Sequence, residues 1–252
     1  MKELLKIKKW LILVSDKTGI VNFSKKLLRN NIEIISTGNT YKKLKDAKIK
    51  VKKVQSLTNF PEILGGRVKT LHPKVFGAIL CNNNSIDHIR QMKKYDISKI
   101  ELIVVNLYPF EKIVEANSPF EKCIENIDIG GPSMIRAAAK NLINTVVIVD
   151  KSDYEVITRE IHKYGGVSLN TRKSLAAKAF KRTMNYDITI SKWISKIAEG
   201  RESKSFFLSG KQVNTLRYGE NPHQKAELYS TLKKNNNLFY EKLAGKDLSF
   251  NN

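Results

Sequence analysis

The chain has 252 residues, 41% of them hydrophobic, with 45 Lys and Arg against 24 Asp and Glu for a formal charge of +21. That length and apolar content supply a buried core for one large domain, or for one domain and part of another, while no stretch approaches the roughly 20 apolar residues of a membrane span. The positive charge is spread in ones and twos along every segment, without aromatics interleaved with Arg and without a recognisable nucleic-acid module, so it argues for steering small phosphorylated ligands ahead of binding a polyanion.

The basic residues Met1 to Lys9 precede the apolar run Trp10 to Val14, which is too short for a signal h-region and reads as a buried strand. Thr18 is placed to cap a helix whose face carries Ile20, Phe23, Leu27 and Leu28 and which Asn30 and Asn31 end. Ile32 to Ile35 is the next strand, followed by a polar loop at Ser36 to Thr40 and a short helix through Leu44. Val51 to Val54 reads as a further strand. Beyond Gly65 and Gly66, Val75 to Leu80 is apolar and Ile86 to Tyr95 is helical. Leu102 to Val105 is an all-apolar strand, stopped by Pro109. Gly130-Gly131-Pro132 opens a helix over 133–141 whose alanines at 137–139 permit close packing, and Thr145 to Val149 closes the strand series. A long helix is expected over 171–197, with Leu175, Ala179, Phe180 and Ile190 as core contacts. Residues 200–210 read as a polar linker, and the tail beyond it, about 40 residues, is short for a core of its own.

Unbroken apolar strands separated by helices imply an α/β fold with a mainly parallel sheet flanked by helices, in which ligands sit beyond the carboxyl ends of the strands. Ser15 to Lys17, Ser36 to Thr40 and Asn106 to Tyr108 each follow an apolar strand and would gather on that rim. The segment Gly65-Gly66-Arg67-Val68-Lys69-Thr70-Leu71-His72-Pro73 adds an anion-binding loop: glycines let backbone N–H groups approach a ligand, Arg supplies a planar fork and Lys a mobile point charge. Cys81 and Cys123 have neither metal-ligand spacing nor a disulfide framework. No metal site is expected, and the expected compartment is the cytoplasm.

Six segments, in order, carry a resemblance: Ser-Asp-Lys-Thr-Gly at 15–19, the Gly-Gly-Arg-Val-Lys-Thr-Leu-His-Pro segment at 65–73, Asn-Leu-Tyr-Pro-Phe at 106–110, Ile-Asp-Ile-Gly-Gly at 127–131, Arg-Ala-Ala-Ala-Lys-Asn at 136–141 and Leu-Arg-Tyr-Gly-Glu-Asn-Pro-His-Gln at 216–224. On these the chain resembles the bifunctional purine-biosynthesis family that combines AICAR transformylase with IMP cyclohydrolase. The resemblance implies a methylglyoxal-synthase-like cyclohydrolase domain over 1–199. It implies a linker and the truncated N-terminal part of the transformylase domain, a second α/β domain, over 200–252. The implied reaction is ring closure of 5-formamidoimidazole-4-carboxamide ribotide (FAICAR) to IMP with loss of water. No cofactor is implied for that step. AICAR and 10-formyltetrahydrofolate would be the other substrates of the parent protein, and a homodimer is implied.

Carried over position by position, Ser15, Lys17, Thr37, Gly38, Thr40, Arg67 and Thr70 resemble the nucleotide-holding set. Asn106 and Tyr108 would flank the base, the phenol able to donate. Lys69 would stabilise an oxyanion, Asp128 would orient or accept from the carboxamide, and Lys140 would be the general acid/base, a role suited to a buried lysine. Arg217 and Tyr218 match a phosphate-gripping pair of the transformylase, whose catalytic Lys-His pair is expected beyond residue 252. Without the resemblance, Lys140 reads as a helix-dipole partner, Asp128 as a turn or cap residue and His72 as structural. Asn39 stands where the family's phosphate loop has a second glycine, at a position that Asn can serve with left-handed backbone angles. Three other readings compete: methylglyoxal synthase, which needs an aspartate base beside a triose-phosphate pocket; a phosphate-sensing module without turnover; and a nucleic-acid binder with a steep salt dependence.

Overall fold

The computed structural model describes residues 3–28, 32–200, 207, 210–230 and 244–250, so the helix end read at Asn30 and Asn31 and most of the expected linker lie outside the described residues. The chain divides into two compact units, 1–194 and 195–252. In chain order it forms β1 (Leu4–Leu5), β2 (Lys9–Val14), α1 (Ile20–Leu28), β3 (Glu33–Ser36), α2 (Gly38–Asp46), β4 (Lys52–Lys53), α3 (Gln55–Thr58), α4 (Pro73–Leu80), α5 (Ile86–Lys94) and β5 (Leu102–Asn106). There follow α6 (Phe110–Glu115), α7 (Phe120–Glu125), α8 (Gly130–Lys140), β6 (Val146–Ile148), α9 (Tyr154–Tyr164), β7 (Val167–Ser168) and α10 (Leu169–Glu199).

Five strands form one parallel sheet in the order β4-β3-β2-β5-β6. The central strand explains why the apolar runs are unbroken. Trp10 and Ile12 enter one core with Phe23, Leu27 and Leu44 of α1 and α2 and Ile157 of α9, whereas Leu11 enters the other with Val75, Ile79, Met134, Ala138 and Ala179 of α4, α8 and α10. Successive side chains point to opposite faces, and both faces are covered. Phe23 is stacked between Trp10, at 5.2 Å, and Tyr154, at 4.3 Å. On the other face the buried alanines of α8 bring its backbone close to β5.

Several expectations are refined. The Thr18 cap does not form: the hydroxyl donates to Asp16 at 2.5 Å, and α1 begins after Gly19, whose φ of +75° turns the chain. The loop expected through Thr40 is already helical from Gly38, and the strand at 51–54 shrinks to Lys52–Lys53. The apolar run at 75–80 belongs to α4, which starts with Pro73 at its first turn and with His72 capping, Nδ1 accepting from Lys74 N. Phe180, expected in the core, is 40% exposed and lies under the Arg136 guanidinium, because its position faces outward on α10. Leu175 and Ala179 are buried as expected, and Ile190 is partly buried.

Arg172 ties α10 to the rest of the first unit. Its guanidinium is buried and donates to the carbonyls of Leu142, Ile143 and Glu3. In the second unit, β8 (Lys211–Thr215) and β9 (Glu227–Ser230) form an antiparallel pair with an irregularity between Gln212 and Asn214. Among the described residues no helix is long and apolar enough to cross a membrane.

Candidate active site

The carboxyl ends of β2, β3 and β5 place the expected loops on one rim, as a parallel sheet dictates. The loop after β2 is fastened by Asn106 at the end of β5. Its Oδ1 accepts from Ser15 N at 2.5 Å and Asp16 N at 3.0 Å, and its Nδ2 donates to Asp16 O at 2.8 Å. All of these contacts hold the Ser15 to Lys17 loop, a scaffolding job that its expected place beside a base did not anticipate. Lys17 curls back, its Nζ donating to Ser15 O at 3.0 Å.

Beyond β3 the chain turns at Gly38, with φ +54°, into α2. Thr37 occupies the N-cap position, yet no side chain caps the first N–H groups of this helix. A helix start with free N–H groups, carrying the positive end of the helix dipole, receives anions. Thr40 does not serve there: its hydroxyl accepts from Val14 N at 3.2 Å and donates to Val14 O at 3.0 Å, locking α2 to β2. Asn39 sits within the helix and is absent from the left-handed residues, so the position asks for no glycine in this chain.

The segment between α3 and α4 brings a cation to the same place. Asn59, Leu64, Gly65 and Gly66 all have positive φ, and the chain folds back so that Lys69 Nζ lies against two glycines. A Cβ on Gly38 would stand 3.7 Å from that ammonium, and one on Gly66 would stand 3.2 Å from it. Lys69 also pairs with Glu62 at 3.2 Å. Arg67 is turned to α7, where it pairs with Glu125 in an exposed bridge. Thr70 is buried, its hydroxyl 2.9 Å from where a Gly130 side chain would begin, so Gly130 lets the start of α8 close on this loop.

Asp128 precedes α8. Its Oδ1 accepts from Gly131 N at 2.8 Å, and its backbone N–H donates to the buried Tyr186 hydroxyl at 2.7 Å. Burial pushes the Asp128 carboxyl up, the Gly131 N–H and the Lys69 charge pull it down, and burial wins. Burial likewise pushes the Tyr186 phenol up to about 12, so it stays protonated. Tyr108 is 51% exposed, two residues beyond the end of β5. Lys140 ends α8, roughly 15 Å along the axis from Gly130, and is exposed rather than buried.

The structure therefore joins Gly38, Lys69, Thr70 and Asp128 in one region and anchors Ser15, Lys17 and Asn106 on the adjoining rim. It does not bring Lys140 into that cluster. In the second unit Arg217 donates through Nε to Asp247 O at 2.6 Å, and its guanidinium lies over the Tyr218 ring. Two residues escaped the sequence reading. Tyr186 sits at a core-like spacing on α10, and Glu62 was hidden in a run ahead of the glycines. Among the described residues no group of three or more His, Cys, Asp or Glu is placed to hold a metal ion. Chemically, the cluster offers a cation beside an uncapped helix start and a carboxyl with a raised affinity for protons.

A family model described as an MGS-like domain matches residues 19–133, and one described as the AICARFT/IMPCHase bienzyme matches residues 138–252. The bifunctional purine biosynthesis protein PurH of Bradyrhizobium diazoefficiens is 48% identical over 244 residues, covering 96% of this chain and 46% of that protein. PurH of Acetivibrio thermocellus is 47% identical over 250 residues, covering 98% of this chain and 49% of that protein. The chain spans about half the length of the curated relatives it matches. The crystal structure of ForH is also similar, with a TM-score of 0.64 and 32% identity over 73% of this chain and 97% of that one.

Proposed function

The chain belongs to the family of bifunctional purine biosynthesis proteins, and on that premise we propose that its first unit closes FAICAR to IMP. The observation that carries the reading is the pairing of Lys69, set at the uncapped start of α2, with Asp128, whose carboxyl is raised by burial. An amide nitrogen is a weak nucleophile, so its attack on the formyl carbon needs a proton acceptor and a stabilised oxyanion. Asp128 takes the amide proton as the new C–N bond forms. Lys69 faces the negative charge that gathers on the former formyl oxygen. That oxygen takes up the amide proton and the one shed by the formamido nitrogen, and its bond to carbon breaks as the C=N bond forms, so that water leaves and the ring is aromatic. The phosphate belongs on the rim of Ser15, Lys17, Thr37, Gly38 and Thr70, with Tyr108 at its open side near the base. Thr40 and Asn106 act by holding the rim in shape, and Arg67 joins if phosphate displaces Glu125.

Lys140 enters as acid/base on family likeness alone, since its own geometry supplies only a favourable charge at a helix C-terminus. For the parent protein we propose formylation of AICAR by 10-formyltetrahydrofolate, with Arg217 and Tyr218 on the phosphate of that second site. Absorbance-monitored conversion of FAICAR by the purified chain tests the main reading. Turnover is expected, falling on the order of 10²- to 10³-fold in Lys69→Ala, as when an oxyanion donor is removed. A folded chain that binds IMP without turning FAICAR over would replace this reading with a phosphate-sensing module. In the same assay, Lys140→Ala with unchanged turnover would confine that residue to its helix end.

A further inference from the structure

Glu62 has no part in the proposed reaction, yet its carboxylate, about one third exposed, reaches the cation of the site. One carboxylate oxygen, Oε1, meets Lys69 Nζ at 3.2 Å, and the other, Oε2, accepts from Gln55 Nε2 at 3.4 Å. Gly66 makes room for it: a Cβ there would lie 2.5 Å from Glu62 Oε1, so a side chain at 66 would make that carboxylate shift. Four residues with positive φ, Asn59, Leu64, Gly65 and Gly66, bracket Glu62 and fold its segment back over Lys69. Left-handed backbone is disfavoured at a leucine, and such strain persists where the surroundings over-determine it, most often at functional sites. The same geometry that strains this turn delivers a carboxylate to a flexible lysine.

We infer that Glu62 is a positioning residue: it holds the Lys69 ammonium against the Gly38 and Gly66 backbones, so that the cation is already in place when negative charge develops. The inference rests on the proposed cyclohydrolase reading for its catalytic consequence, but not for the placement of Lys69. A lysine carries four flexible bonds, and a cation fixed beforehand stabilises a transition state without reorganising at the moment of reaction.

Two measurements test it. The first needs no turnover: the rate of reductive methylation at Lys69 in the full chain, read by peptide mass, in wild type and Glu62→Gln. The glutamine keeps the length of the side chain and removes its charge, so Lys69 should label several-fold faster while Lys93 and Lys163 on distant helices label as before. An unchanged Lys69 rate overturns the inference. The second is a double-mutant cycle in FAICAR closure. Glu62→Gln should lower kcat about 10- to 100-fold with KM within about threefold, the scale expected for a misplaced catalytic group. In a Lys69→Ala background the same change should cost less than about twofold. Equal losses in both backgrounds would mean that Glu62 merely supports the loop, and would overturn the catalytic part. Faster labelling in a chain that never converts FAICAR would sink the proposed reaction and leave the positioning of Lys69 standing.

Discussion

At the scale of single residues, the polar groups of the rim divide into those spent inside the protein and those left for a ligand. Thr40 and Asn106 give their hydrogen bonds to β2 and to the loop after it, and Arg67 gives its fork to Glu125. Lys69 and Asp128 stand at the site itself, each held by a neighbour that the sequence did not announce. Tyr186 is one such neighbour, since its hydroxyl accepts the Asp128 N–H and donates to Asn126 O at 3.4 Å. Tyr186→Phe leaves that partly buried N–H unpaired and should cost about 1–2 kcal/mol in chemical denaturation. The loss is expected together with a drop in turnover, because Asp128 loses its anchor. A variant as stable and active as wild type would show that α10 does not hold Asp128. The residue types of the site were legible from their loops, but the direction of each side chain was not: a threonine that locks a helix and one that faces a ligand look alike in a string of letters.

At the scale of elements, strands β2 and β5 were legible because each carries a continuous apolar run, β3 because Ile32, Ile34 and Ile35 cluster ahead of a polar loop, and α1, α5, α8 and α10 because each offers at least two turns of periodicity. The short helices α3, α6 and α7 hold four to six residues, too few for a period to emerge, and their form is fixed by packing instead. Phe180 shows the opposite failure, an aromatic residue on a helix whose outward face needs no apolar partner. Arg172 carries the clearest prediction at this scale. It is buried, and its guanidinium joins α10 to the turn after α8 and to the N-terminal segment through three backbone carbonyls. Arg172→Ala would strand those acceptors and is expected to destabilise the chain by about 2–4 kcal/mol, measured as a lowered denaturation midpoint. A change below about 0.5 kcal/mol would mean that water replaces the guanidinium without loss.

For the molecule as a whole, a sheet buried on both faces favours its carboxyl rim for chemistry, and three separate loops converge there because parallel strands end on one side. The α/β class followed from that pattern, and the six ordered motifs pointed to the family that the MGS-like and bienzyme models support. The formal charge of +21 is spread along the sequence, and on the proposed function its use is to steer a phosphorylated substrate inward. What the string of residues could not supply was distance along α8, which separates Lys140 from Asp128 although their motifs are near neighbours in sequence.

The most direct measurement is the pH dependence of single-turnover FAICAR closure in the wild-type chain and in Asp128→Asn. Burial raises the Asp128 carboxyl, and a base must be ionised to accept a proton. The wild-type rate should therefore climb with pH through an apparent pKa above the usual carboxylate range, and be lost as pH falls through it. Asparagine can still accept from Gly131 N, so the variant is expected to fold, to react about 10²- to 10⁴-fold more slowly and to lose that limb. An acid limb that survives unchanged in Asp128→Asn would contradict the assignment and move the proton acceptor to another residue.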